Sequence, residues 1–162
     1  VVVKQMLLDV DVRAVAIAGA VAGIAYAATM EIDNRLTGQK IDDLLLLGRP
    51  IAADARRARR VGALIHLSNS VALGVVYAAL ARDRLPGPPW LRGVIYGNVE
   101  NTLLYPLAAL DRFHPAVRDG QLDRYWTVAA YLQSVPRHVV YGAVLGSLYE
   151  RLNRRPRERP GG

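Results

Sequence analysis

No cysteine occurs among the 162 residues, which removes disulfides, thiolate metal centres and cysteine nucleophiles at once. Catalytic signatures are missing as well. There is no Gly-x-Ser-x-Gly elbow, no His-Glu-x-x-His pair and no phosphate-cradling glycine loop, the arrangements that would hold a nucleophile, a zinc ion or a nucleotide. Asp42 and Asp43 are adjacent but lack the oxygen-ligand spacing of an EF-hand loop after them. The arginine clusters are not interleaved with aromatics and carry no recognition motif, so a nucleic-acid partner is not expected. A role in binding, transport or assembly is expected ahead of catalysis.

The most telling shortage is of charge in particular places. Hydrophobic residues make up 52% and charged residues 22%, yet Ala14–Met30, Val61–Ala81, Gly93–Leu110 and Tyr125–Tyr149 are almost free of charge. A transmembrane helix needs about 20 predominantly apolar residues, each adding about 1.5 Å. The four stretches meet that length with small extensions, whereas amphipathic helices of a soluble protein would show polar residues every third or fourth position on their outer face. The fold expected is an all-α, transmembrane antiparallel four-helix bundle. It forms a single domain over 1–156, with spans at about 14–34, 61–81, 91–110 and 125–149 and a disordered tail over 157–162.

Between the stretches lie the charges and the turn signals. Residues 35–60 carry an apolar patch at Leu44–Leu47, too short to span and better suited to the interface. Leu85-Pro86-Gly87-Pro88-Pro89-Trp90 predicts a tight turn between the second and third spans. Trp90, Tyr105, Tyr125 and Trp126 suit headgroup-level anchoring, and His114 beside Pro115 reads as a turn residue. The formal charge is +7. Arg56, Arg57, Arg59 and Arg60, and again Arg151, Arg154, Arg155, Arg157 and Arg159, flank apolar stretches, where they would meet membrane lipids and anionic headgroups. Basic residues divide ten to each side of the four-span arrangement, so the positive-inside bias assigns no orientation. No small-residue cleavage site precedes the first stretch, so that span is expected to be retained.

Helices in lipid associate largely through close approach at small residues. Gly19 and Gly23, Gly93 and Gly97, and Gly142 and Gly146 are GxxxG spacings, and Ser70 with Gly74 is the small-residue equivalent. At about 100° per residue these seams carry ionisable and amide groups with them. Glu31, His66, Glu100, Asn101, Arg137 and His138 form the candidate intramembrane polar cluster. Such groups are costly in lipid and mark a candidate site, although fixing helix register would use the same side chains. Depth divides the titratable ones into two expected pairs: Glu31 with His66 near one surface, and Glu100 with Arg137 or His138 deeper. Pro136, which removes one helical hydrogen bond, adds interest to the deeper pair.

No metal site is expected, because the four carboxylate and imidazole groups differ in depth by roughly 10–15 Å and the Glu-x-x-His spacing is absent. His66 and His138 are the weak candidates for the alternative, a membrane-embedded redox protein or enzyme holding haem or a divalent metal. Otherwise no cofactor is expected.

Over most of the chain, Leu47-Gly48-Arg49-Pro50, the histidine early in the second stretch, Pro88-Pro89-Trp90-Leu91-Arg92-Gly93, Asp111-Arg112-Phe113-His114-Pro115 and Arg137-His138 resemble small bacterial four-span integral membrane proteins of unknown function. The resemblance implies a multi-pass protein of the bacterial inner membrane and assigns no activity to any residue. A chain of this length encloses little volume alone, so an aqueous pathway would require a homo-oligomer or a larger membrane complex.

Overall fold

The computed structural model describes residues 10–153, and all regular structure among them is helical. The tail expected to be disordered lies outside the described residues. Helix α1, Val12–Thr37, begins where the Asp11 side chain accepts from Ala14 N and ends at Gly38, whose φ of 72° only glycine adopts without strain. Helix α2, Asp43–Gly48, is capped by the Asp42 carboxylate, which accepts from the Leu44 and Leu45 amides. Helix α3, Ala55–Val76, is capped by Asp54 and runs on through a π turn at Tyr77–Ala81. Helix α4, Pro89–Leu104, has proline in its first turn, where no N–H is needed.

After Leu104 the chain tightens into a 3-10 segment, Tyr105–Phe113. Pro106 supplies the reason: it offers no N–H to the preceding turn and crowds its carbonyl. Helix α5 is the short Pro115–Arg118. Helix α6, Val128–Leu152, is capped by the Thr127 hydroxyl and carries Pro136 within it.

The long helices pack in the order α3, α1, α6, α4, with α1 held between α3 and α6. Small residues set the spacing. A Cβ on Gly19 would lie 2.8 Å from the Val71 Cα, and one on Gly23 would lie 2.5 Å from the Ser70 hydroxyl oxygen. Between α4 and α6 the approach is closer: a Cβ on Gly93 would run into the Gly142 carbonyl, and one on Gly146 into the Pro89 carbonyl. A third seam joins α2 to α3, where a Cβ on Gly48 would meet the Ala58 carbonyl and one on Gly62 the Leu44 carbonyl. The Leu44–Leu47 patch is thus part of a helix laid directly on α3.

The main core gathers Val15, Ala18, Ala22 and Tyr26 of α1 with Tyr77 and with Tyr141, Leu145 and Tyr149 of α6. A smaller core of Leu45, Ala52, Ala58, Ala116 and Leu122 lies beneath the connections 38–54 and 114–127. Those connections therefore form a packed cap at one end of the long helices. Large apolar side chains such as Ile24, Leu64, Leu103 and Leu132 remain exposed on the outer faces. Two helices, Val12–Thr37 and Ala55–Ala81, are long and apolar enough to cross a membrane.

The outermost pair, α3 and α4, is the one that does not close. The two meet near the hairpin, where the Tyr96 hydroxyl donates to the Leu73 carbonyl at 2.9 Å. Toward the cap they diverge and leave a wedge.

Candidate functional site

The wedge is a cavity of about 560 Å³. His66, Asn69, Ser70 and Leu73 line it from α3, Glu100, Asn101 and Leu104 from α4, and Ser134, Arg137, His138 and Tyr141 from α6. Tyr26 forms part of the floor, Ile41, Asp43, Leu46 and Leu47 the cap side, and Leu107, Ala108 and Leu110 of the 3-10 segment an apolar flank. Most of the wall is apolar, and the polar groups converge at its inner end. That is the ordinary construction of a small-molecule site.

Arg137 is fully buried at 0% exposure. Its Nε and Nη2 donate to the two Asp33 carboxylate oxygens at 2.6 Å each. Nη2 also reaches the Asn34 side-chain carbonyl at 3.2 Å, while Nη1 donates to the Ile41 carbonyl at 3.1 Å and approaches Asp43 at 3.4 Å. All five guanidinium N–H groups thus have acceptors, the condition under which a buried arginine is tolerable. Tyr26 joins the network by donating to Asp43 at 2.7 Å, and Gln133 by donating to Asp33 at 2.8 Å. The network ties α1, the start of α2 and α6 together.

Of the two partners expected for Glu100, Arg137 is therefore the wrong one and His138 the right one. Adjacent positions on a helix point about 100° apart, so Arg137 faces α1 while His138 faces α4. Glu100 meets His138 instead, with Oε2 3.5 Å from Nε2. The expected pairing of Glu31 with His66 is also wrong. Glu31 takes Arg35 at 3.0 Å on its own helix and Arg59 at 3.0 Å from α3. His66 lies opposite Gly23, two turns of α1 away from Glu31, and its Nε2 donates to the Gly23 carbonyl at 3.0 Å. Of the six residues of the predicted polar cluster, five line the cavity. Glu31 does not.

The two imidazoles are held in defined tautomers. A carbonyl only accepts, so His66 carries its proton on Nε2 toward Gly23, and His138 carries one on Nδ1 toward Ser134 O at 2.8 Å. His66 Nδ1 is left with a lone pair and no partner among the described residues, and His138 Nε2 is left facing Glu100. Both rings pack on Tyr26 with centroids 5.1 Å away. Asn101 donates to the Ser134 hydroxyl at 2.8 Å, which donates in turn to the Tyr131 carbonyl at 2.7 Å. Among the described residues, no three His, Cys, Asp or Glu side chains are grouped to hold a metal ion.

The cap supplies residues to which the sequence pattern gave no part in a site. Asp111 is buried and accepts from Arg124 Nε at 2.8 Å and from the Tyr125 and Trp126 amides at 2.6 and 3.1 Å. This anchors the turn before α6. It also turns Tyr125 inward, so that tyrosine lines the cavity in place of the anchoring role expected for it. Its hydroxyl is buried without a partner, and burial pushes the phenol well above its ordinary pKa. His114 donates from Nε2 to the Leu46 carbonyl at 2.9 Å and caps α5 through Nδ1. Asp42 and Asp43 are spent on helix capping and on Arg59, Tyr26 and Arg137.

With that geometry in view, residues 10–159 match a family of unknown function, DUF6789. The chain belongs to this family. The match covers every helix described above, so the capped, four-long-helix arrangement and the cavity lie within the DUF6789 region. No curated protein and no solved structure matches the chain.

Proposed function

We propose that this DUF6789 protein is a multi-pass integral membrane protein of the bacterial inner membrane whose wedge-shaped cavity binds a lipid-soluble small molecule. In this reading α1, α3 with its π turn, α4 with the 3-10 segment, and α6 form a transmembrane four-helix bundle. The supporting observation is the cavity: polar at the inner end, apolar along its flank, and set between two helices whose outer faces are apolar. A ligand dissolved in the bilayer could enter between α3 and α4 past Leu73 and Leu104, with Asn69 the exposed polar side chain on that edge. The packed cap closes the aqueous route on one side, and exposed Arg56, Arg57 and Arg60 beside it would meet anionic headgroups. The role is ligand binding or carriage, by the protein alone, as a homo-oligomer or as a subunit of a membrane complex.

The absence of native cysteine makes the test clean. Single cysteines replace exposed Asp83, at the hairpin, and exposed Arg118, in the cap. In sealed right-side-out vesicles an impermeant maleimide should modify one and reach the other only after lysis. Modification of both without lysis, or release of the protein by carbonate, overturns the reading.

The carbonyl-oriented imidazoles also suit a second reading, since ligating histidines characteristically have the other ring nitrogen fixed in this way. Haem or a metal held by His66 and His138 would then fill the cavity. A Soret band or stoichiometric metal in the purified protein would establish it, and a colourless, metal-free preparation would remove it.

A further inference from the structure

We infer that the cavity selects a neutral lipid-soluble molecule with a hydroxyl head, an alcohol or a phenol, and that His138 with Glu100 reads that hydroxyl. The inference rests on the reading of the cavity as a ligand site and adds the chemistry of the head. It follows from what the inner end of the cavity has left to give.

Positive charge is already spent there. Arg137 is the cation among the lining residues, and its N–H groups are committed to Asp33, Asp43, Asn34 and Ile41. A phosphate or carboxylate head would enter beside the carboxylates of Asp43 and Asp111 and beside the Glu100–His138 pair, with no free guanidinium or ammonium to receive it. Bringing an anion out of water without such a partner is heavily penalised. Asp111 has both oxygens engaged by Arg124 and two backbone amides, and the charge of Asp43 is offset by Arg137, with Tyr26 donating to the same oxygen, which weakens the attraction for a quaternary ammonium at those positions.

What remains open is neutral and of both hydrogen-bonding kinds. His66 Nδ1 is an acceptor without a donor, and Tyr125 carries a buried hydroxyl without a partner. His138 Nε2 and Glu100 Oε2 stand 3.5 Å apart, each with a lone pair, so one proton must be shared for the contact to be favourable. A hydroxyl is the smallest head that donates to a bare imidazole nitrogen or carboxylate while accepting from the shared proton or a phenol. An ether accepts only, and would leave an acceptor unsatisfied. The leucines of the flank, Leu104, Leu107 and Leu110, would then cover the apolar body.

The test uses the full chain in nanodiscs and photolabelling with a long-chain alcohol that carries a diazirine on its chain. Its methyl ether, carboxylate, phosphate monoester and trimethylammonium analogues are run beside it. Cross-linked peptides are located by mass spectrometry. The alcohol should label residues 66–73 and 100–110 saturably, and the ether should compete about tenfold less well, the usual worth of one hydrogen bond. Glu100→Gln and His138→Gln should each narrow the alcohol's advantage over the ether, and a size-exclusion profile and thermal unfolding in detergent like those of the unaltered chain show that each variant is folded. An undiminished advantage in both folded variants overturns the assignment to this pair. Equal labelling by all five heads overturns the hydroxyl inference and leaves the ligand site standing. Preference for the phosphate, the carboxylate or the ammonium overturns it likewise. Failure of every probe to label those residues overturns the ligand site itself.

Discussion

A guanidinium with all five N–H groups engaged and no exposed surface leaves no place for a smaller or neutral substitute. Arg137→Leu removes the charge and strands Asp33 and Asp43 inside the protein, a loss of about 3–5 kcal/mol for a broken buried pair. Asp33→Asn should fall in the same range, because Arg137 then keeps its charge without its bidentate partner. Unfolding measured in mixed micelles should show the double variant losing much less than the two single losses added. The same cycle run between Arg137 and Glu100 should be additive within about 0.5 kcal/mol, since the two share no contact. Coupling in the second cycle and none in the first would contradict the geometry. Position on the helix explains why Arg137 was legible as a buried charge and its partner was not. Arg137 lies within an apolar stretch, but Asp33 follows the apolar part of α1, and Asp43 is delivered by a connection that no periodicity locates. His66 and His138 were legible for the opposite reason, since each lies on the same face as a small-residue seam.

Glycine carries two different burdens among these elements, and substitutions separate them. At Gly93 the difficulty is space, because a Cβ would enter the Gly142 carbonyl across the α4–α6 seam. Gly93→Ala should force the two helices apart and cost about 1–3 kcal/mol or more, as overpacking does. At Gly38 the difficulty is conformation alone: φ is 72° and no atom lies within 4 Å of an added Cβ. Gly38→Ala should therefore cost about 1–2 kcal/mol and leave the α4–α6 spacing unchanged. Thermal unfolding of both variants, with a spin-label pair on α4 and α6 to report their separation, checks the distinction. A shift in separation on changing Gly38, or none on changing Gly93, would refute it. Seams of this kind can be read from a sequence because a spacing of four places both small residues on one helix face. The Gly48 and Gly62 seam could not be read so, since Gly48 stands in a loop signal beside Arg49 and Pro50 and Gly62 follows an arginine cluster. The cavity was less legible still. It depends on α3 and α4 separating, and an outer pair of helices separates or closes according to how α1 and α6 hold them.

Across the whole molecule the two tryptophans report on how it sits in its surroundings. Trp90 is in the first turn of α4 at the hairpin end, and Trp126 is in the turn before α6 at the cap end, stacked on Tyr105 with ring centroids 5.0 Å apart. Both are about half exposed, at 51% and 47%. The sixteen residues of α4 alone rise about 24 Å, and the 3-10 segment extends the same path beyond it. If that path crosses the bilayer, the two indoles sit near opposite headgroup levels, where an amphipathic ring has its apolar body in hydrocarbon and its N–H in water. Single-tryptophan variants, Trp90→Phe and Trp126→Phe, reconstituted in lipids brominated at different chain depths, isolate each indole. Bromines near the glycerol end of the chain should quench both more strongly than bromines near the methyl end. An aqueous quencher should reach each partially. Strong quenching of either indole by methyl-end bromines would place it at the bilayer centre and require a different path for α4. Absence of quenching by any brominated lipid, with full access to the aqueous quencher, would place both indoles in water and overturn the membrane-spanning path of α4.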